Sequence, residues 1–161
     1  MMVLTACANG TDKENLEATK KDTPKKTEHK YQFTGESEHW EAVYSYKETQ
    51  LWGKENGQIT YSSKDNYVLT LKYKGALEEL SSMKKLEYSY ETTASSGNKT
   101  EDYPDPPSEK SFKTSGGSEN GAPVGKGEVI KVNVKWADND ESFNCVIKKS
   151  NFAQEGSSKF D

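Results

Sequence analysis

Cys7 carries the most closely specified chemistry in the chain, because its neighbours set it. Leu4, Thr5 and Ala6 occupy the three positions before it. This order fits a lipobox: Leu, a small or β-branched residue, a small residue, then the Cys to be lipidated. The thiol attacks a diacylglycerol donor and becomes a thioether, and the small neighbours let a peptidase close over the backbone at the cut. Each acyl CH₂ that enters the bilayer contributes ~0.8 kcal/mol, so two or three chains hold a protein firmly. A secretory leader also carries a basic segment and an apolar run of about 7–15 residues. Only Met1 to Ala6 precede Cys7 here. Residues 1–7 are therefore the remnant of a leader that starts further upstream, or the match is accidental.

Three other groupings have the residue types for chemistry. Glu36, Glu38, His39 and Glu41 fall within six positions, which suggests a metal site or a carboxylate pair. In an extended strand Glu36 and Glu38 share one face while His39 and Glu41 share the other. Convergence would need a bend at Gly35, so a solvated polar face is the expectation. Glu101, Asp102, Asp105 and Glu109 lie among prolines, without the alternating ligands and sharp-turn glycine of a Ca²⁺ loop. Cys145 alternates with Phe143 and Ile147. It reads as a small buried hydrophobe that should alkylate slowly. No Gly-x-Ser-x-Gly and no metal-ligand spacing is present. The chain is accordingly expected to hold no catalytic residue, metal or cofactor.

Composition narrows the partners. All 22 basic residues are Lys, and the missing Arg removes the bidentate donors that read phosphate and guanine. With a net charge of −4 and no basic patch, nucleic acid is not an expected partner. The nine Tyr, five Phe and three Trp exceed what a disordered chain carries, so a folded domain is present. With Cys7 lipidated, Cys145 has no partner for a disulfide within the chain.

The elements follow from periodicity. Residues 8–30 are charged and almost free of apolar side chains, and read as a disordered polar tether. From Tyr31 the pattern turns to period two: Tyr31 and Phe33; Trp40, Ala42, Tyr44 and Tyr46; Tyr67, Leu69, Leu71 and Tyr73; Leu86, Tyr88 and Tyr90. Asn56-Gly57 is a hairpin turn signal, and Lys64-Asp65-Asn66 reads as a break. Leu77, Leu80 and Met83 suit one helical turn that plugs the core. Residues 92–126 look irregular, with a short strand at Ser111-Phe112-Lys113. Ile130, Val132, Val134 and Trp136, then Phe143, Cys145 and Ile147, form a hairpin around a turn at Ala137-Asp138-Asn139-Asp140. The tail, residues 151–161, is polar.

Residues 31–150 thus predict an all-β domain of seven to eight antiparallel strands. An immunoglobulin-like β-sandwich is the expected architecture and a closed barrel the main alternative. Most aromatics fall on inward positions. Trp52, in a turn, and Tyr103, in a loop, are the candidates for exposed ligand contacts, since such rings stack on sugars.

Two resemblances bear on this. Phe33-Thr34-Gly35-Glu36-Ser37-Glu38-His39-Trp40 resembles the Phe-x-Gly-Glu-Ser-x-x-Trp opening of small uncharacterised lipoproteins of Bacillus-type Gram-positive bacteria. Leu69 to Gly75 and Val134-Lys135-Trp136 are also similar to that group, over about Lys30 to Lys149. The resemblance implies an extracellular β domain and assigns no activity. Leu80, Lys84, Leu86, Tyr88 and Tyr90 have the spacing of the immunoglobulin tyrosine corner, although only Leu80 and Tyr88 match it in type.

The functional expectation is a monomeric, non-enzymatic module on the extracytoplasmic face of the cell membrane. It would be held there by lipid on Cys7 and bind an envelope protein or polysaccharide. A cell-envelope hydrolase, or a metal-binding protein using Glu36, Glu38, His39 and Glu41, is the alternative. A purely structural or immunity-type protein is a third reading.

Overall fold

The computed structural model describes residues 24–148. Cys7, the segment 1–7 and the tail 151–161 lie outside the described residues. Eight strands follow in order: β1 (Lys25–Glu36), β2 (Trp40–Glu55), β3 (Gln58–Tyr73), β4 (Lys85–Glu91), β5 (Ser96–Asp102), β6 (Ser111–Glu119), β7 (Ile130–Trp136) and β8 (Asn139–Ile147). A 3-10 turn at Leu77–Leu80 lies between β3 and β4. Every pairing is antiparallel, as the period-two pattern requires.

The strands make one sheet in the order β5-β4-β7-β8-β1-β2-β3-β6. Its two four-stranded halves pack face to face like the leaves of a sandwich. Trp40 of β2 meets Trp136 of β7 with ring centroids 5.4 Å apart, and Tyr44 of β2 meets Tyr90 of β4 at 5.5 Å. The halves are nevertheless continuous. Among the described residues they join where β1 meets β8, through Phe33↔Ile147 and Thr34↔Val146 and through the Lys148 N–H, which donates to the Gln32 carbonyl at 2.7 Å. Gly35 makes the joint possible, because a Cβ there would lie 2.1 Å from the Asn144 carbonyl oxygen.

The sheet curls until its edge strands β5 and β6 approach, giving a nearly closed barrel. Side chains close this seam where backbone bonds do not. Lys99 Nζ of β5 donates to the Lys113 carbonyl of β6 at 2.9 Å. Tyr90 and Tyr67 lie over Gly97 of β5 and Gly116 of β6, where a Cβ would come within 2.5 Å of the Tyr90 ring and 2.7 Å of the Tyr67 hydroxyl, and their rings meet each other at 4.9 Å. At the other end of the seam Tyr103 packs on Phe112 at 6.1 Å. Tyr88 is buried, but its hydroxyl has no hydrogen-bond partner among the described residues, so it makes no immunoglobulin-type corner bond.

The interior is filled by the alternating residues expected: Phe33, Trp40, Leu69, Leu71, Leu86, Ile130 and Val134 are fully buried. Leu80 and Met83 plug one end. Four boundaries differ from the expectation. β1 starts at Lys25, so the last six residues assigned to the tether pair with β2 from Trp52 to Lys47. β3 runs unbroken through Lys64-Asp65-Asn66, which pair with β2 on one side and β6 on the other. β5 is a full strand within the stretch expected to be irregular, and β6 extends well beyond Lys113. These segments have no continuous apolar face; backbone pairing holds them, and side-chain period does not record it. The last hairpin turns on two residues, Ala137-Asp138, between Trp136 and Asn139.

Candidate functional site

At the end of the barrel where β1 passes to β2, Glu141 is the inward residue of β8 that lies opposite the buried Val134. The loop Ser37-Glu38-His39 folds over it. The Ser37 hydroxyl donates to Glu141 Oε2, the His39 backbone N–H donates to the same oxygen at 3.2 Å, and His39 Nδ1 lies 2.5 Å from Oε1. The imidazole packs beside Tyr73 at 6.2 Å and Trp136 at 5.7 Å. Its hydrogen bond to Glu141 holds His39 above its ordinary value. Burial on its own raises Glu141, but the bonds from Ser37 and His39 outweigh it and leave that carboxyl below its ordinary value.

This grouping contains Ser, His and an acid without triad geometry. The carboxylate sits between the other two, so the hydroxyl donates to the acid and the imidazole is not placed to take its proton. One ligand atom from each of Glu38, His39 and Glu141 falls within 4.8 Å of the others. A cation there would have to displace the His39–Glu141 bond. Of the four residues singled out by spacing, Glu38 and His39 converge. Glu36 turns to Lys74, 3.1 Å away, and Glu41 to Lys72, 3.6 Å away. Glu141 completes the group from about a hundred residues further along. Its signal in the sequence was register: it stands two places before Phe143, on the inward face.

The opposite end of the barrel holds a cleft of about 370 Å³. Tyr44, Tyr46, Tyr67 and Tyr90 line it from the strands, with Gly116 and Gly117 of β6 and the Gly121–Val124 segment along its rim. Tyr44 and Tyr67 lie parallel, 5.2 Å apart. Tyr46 is fixed by the Val124 N–H, which donates to its hydroxyl at 3.2 Å. Asp65 enters from β3, its two carboxylate oxygens accepting from the Ser118 N–H and hydroxyl at 2.9 Å each. Burial, then the charges of Asp65 and Glu48, push the Tyr46 hydroxyl up to about 12. Burial is also the main cause that raises Tyr44 and Tyr90. The Tyr44, Tyr46 and Tyr90 hydroxyls therefore stay protonated at neutral pH. Sequence reading assigned Tyr44, Tyr46 and Tyr90 to the core, where they are buried, and missed the cleft, because only curling of the sheet brings Tyr90 of β4 against Tyr44 and Tyr67 of the other half.

Trp52 is 43% exposed, as expected of a contact residue. It lies within strand β2 and packs on its cross-strand neighbour Tyr61 at 4.4 Å. Tyr103 is half-buried, and its hydroxyl donates to Glu101 at 2.5 Å. Cys145 is fully buried, and burial pushes its thiol up to about 12.

No known protein family, curated protein or solved structure matches this chain.

Proposed function

We propose that this protein is a lipid-anchored, extracytoplasmic, non-enzymatic binding module of the cell envelope, and that the tyrosine-lined cleft is its ligand site. The observation that carries this reading is the cleft itself: four tyrosines and the Asp65 carboxylate converge on one concave surface at the barrel mouth. Barrel mouths and apolar pockets with a few fixed polar groups are favoured ligand sites. Of these tyrosines Tyr67 is partly exposed and can stack on a sugar ring, while Asp65 and Ser118 can bond to sugar hydroxyls, so an envelope polysaccharide is the ligand class. The lipobox Leu4-Thr5-Ala6-Cys7 supports the anchor.

Titration with soluble glycan fragments of the cell envelope, followed through the tyrosine ring resonances, tests the site. Shifts confined to Tyr44, Tyr67 and Tyr90, and affinity lowered about tenfold or more by Tyr67→Ala, are expected. Shifts elsewhere, or unchanged binding by the variant, would overturn it. For the anchor, the native gene product should partition into detergent and lose membrane association on Cys7→Ala.

A further inference from the structure

We infer that the tip of the β2–β3 hairpin is a membrane-surface contact that seats the domain against the bilayer. The tip runs beyond the barrel body and carries Leu51, Trp52, Ile59 and Tyr61, which are 43%, 43%, 74% and 46% exposed. Register sorts them. Trp52 pairs with Tyr61, Lys54 with Ile59, and Lys25 with Trp52. Because side chains alternate along a strand, Lys25, Trp52, Lys54, Ile59 and Tyr61 share one face, and Glu55 falls on the other. That face joins two aromatic rings and an aliphatic side chain to two lysines, with no acidic residue among the five.

This is the composition of a bilayer interface. Trp and Tyr favour the headgroup level, an aliphatic side chain reaches the acyl boundary, and lysines keep their ammonium groups among anionic headgroups. The position of the chain argues for the same occupant. β1 begins at Lys25, directly beside Trp52, and Pro24 lies against Gly53. The segment that carries Cys7 therefore joins the domain at this hairpin. The orientation rests on the lipid-anchor reading; the affinity of the face for lipid does not require it.

The test uses the full-length Cys7→Ser chain, which cannot be lipidated, with vesicles of equal parts phosphatidylglycerol and phosphatidylcholine. Trp40 and Trp136 are buried and Trp52 is exposed, so Trp52 reports the face. Vesicles should shift the emission to the blue and sediment the protein. Trp52→Ser should abolish the shift, and Ile59→Ser should weaken binding about tenfold. Lys25→Glu with Lys54→Glu should weaken binding to these vesicles but leave binding to pure phosphatidylcholine unchanged. These positions are exposed, so near-UV circular dichroism should confirm that each variant keeps its fold. Failure to sediment, or equal binding by Ile59→Ser, overturns the inference. A blue shift that grows with protein concentration in the absence of lipid also overturns it, in favour of contact between two copies. If the Cys7→Ser chain binds vesicles while the native gene product carries no lipid, the anchor reading fails and the hairpin contact stands.

Discussion

His39 Nδ1 lies 2.5 Å from Glu141 Oε1, which ties the β1–β2 loop to the inward face of β8. This bond and the Ser37 bond beside it join the two halves of the sheet at the end where backbone pairing between β1 and β8 has run out. It is thus a latch beside the shortest strand pairing among the described residues.

The latch makes stability depend on pH. His39 is raised from 6.5, so its contribution is complete below pH 6.5 and is lost as pH rises through its raised value. Glu141 is lowered from 4.5, so its contribution is complete above pH 4.5 and is lost as pH falls through its lowered value. Wild type should exceed Glu141→Gln in melting temperature most between pH 4.5 and 6.5. The partly exposed pair should give a difference of about 2–6 °C. A gap that stays constant from acid to alkaline pH would contradict this.

Gly35→Ala should be among the most damaging small substitutions. Its methyl group would lie 2.1 Å from the Asn144 carbonyl oxygen, at the two-pair joint of β1 and β8. Backbone on both sides leaves no flexible group to yield. Urea denaturation should show a loss of about 1–3 kcal/mol or more, and wild-type stability in the variant would show that the joint is looser than described.

The seam between β5 and β6 should open before the rest of the sheet. Gly97→Ala puts a methyl group 2.5 Å from the Tyr90 ring, and Lys99→Met removes the donor to the Lys113 carbonyl. Hydrogen exchange should quicken in β5 and in β6 near Gly116, with β2 unchanged. Uniform acceleration through every strand would mean that the seam has no independent motion.

Cys145 should be inert while the protein is folded. In the Cys7→Ser chain it is the remaining thiol. It is fully buried, and its thiol is pushed up to about 12 by burial. Iodoacetamide should react only as fast as the barrel unfolds, with denaturant speeding it by orders of magnitude. Rapid labelling in buffer would place the thiol at the surface.

The sequence by itself determined the all-β class, the inward set from Phe33 to Cys145 and the Asn56-Gly57 hairpin. In each case a side chain's chemistry alternates with the pleat, and one buried face selects for it. The turn Asn56-Gly57 was readable because both residues adopt positive φ, 50° and 80°, which few other pairs tolerate. Only the tertiary structure decided the rest. Lys25–Lys30 and β5 carry no apolar period, and neighbouring backbone alone makes them strands. Glu141 reaches His39 because β8 happens to lie beside β1, a relation that local spacing does not encode. The cleft exists because one sheet curls until Tyr90 of one half meets Tyr44 and Tyr67 of the other. Alternation tells which way a side chain points; only closure of the sheet settles what it points at.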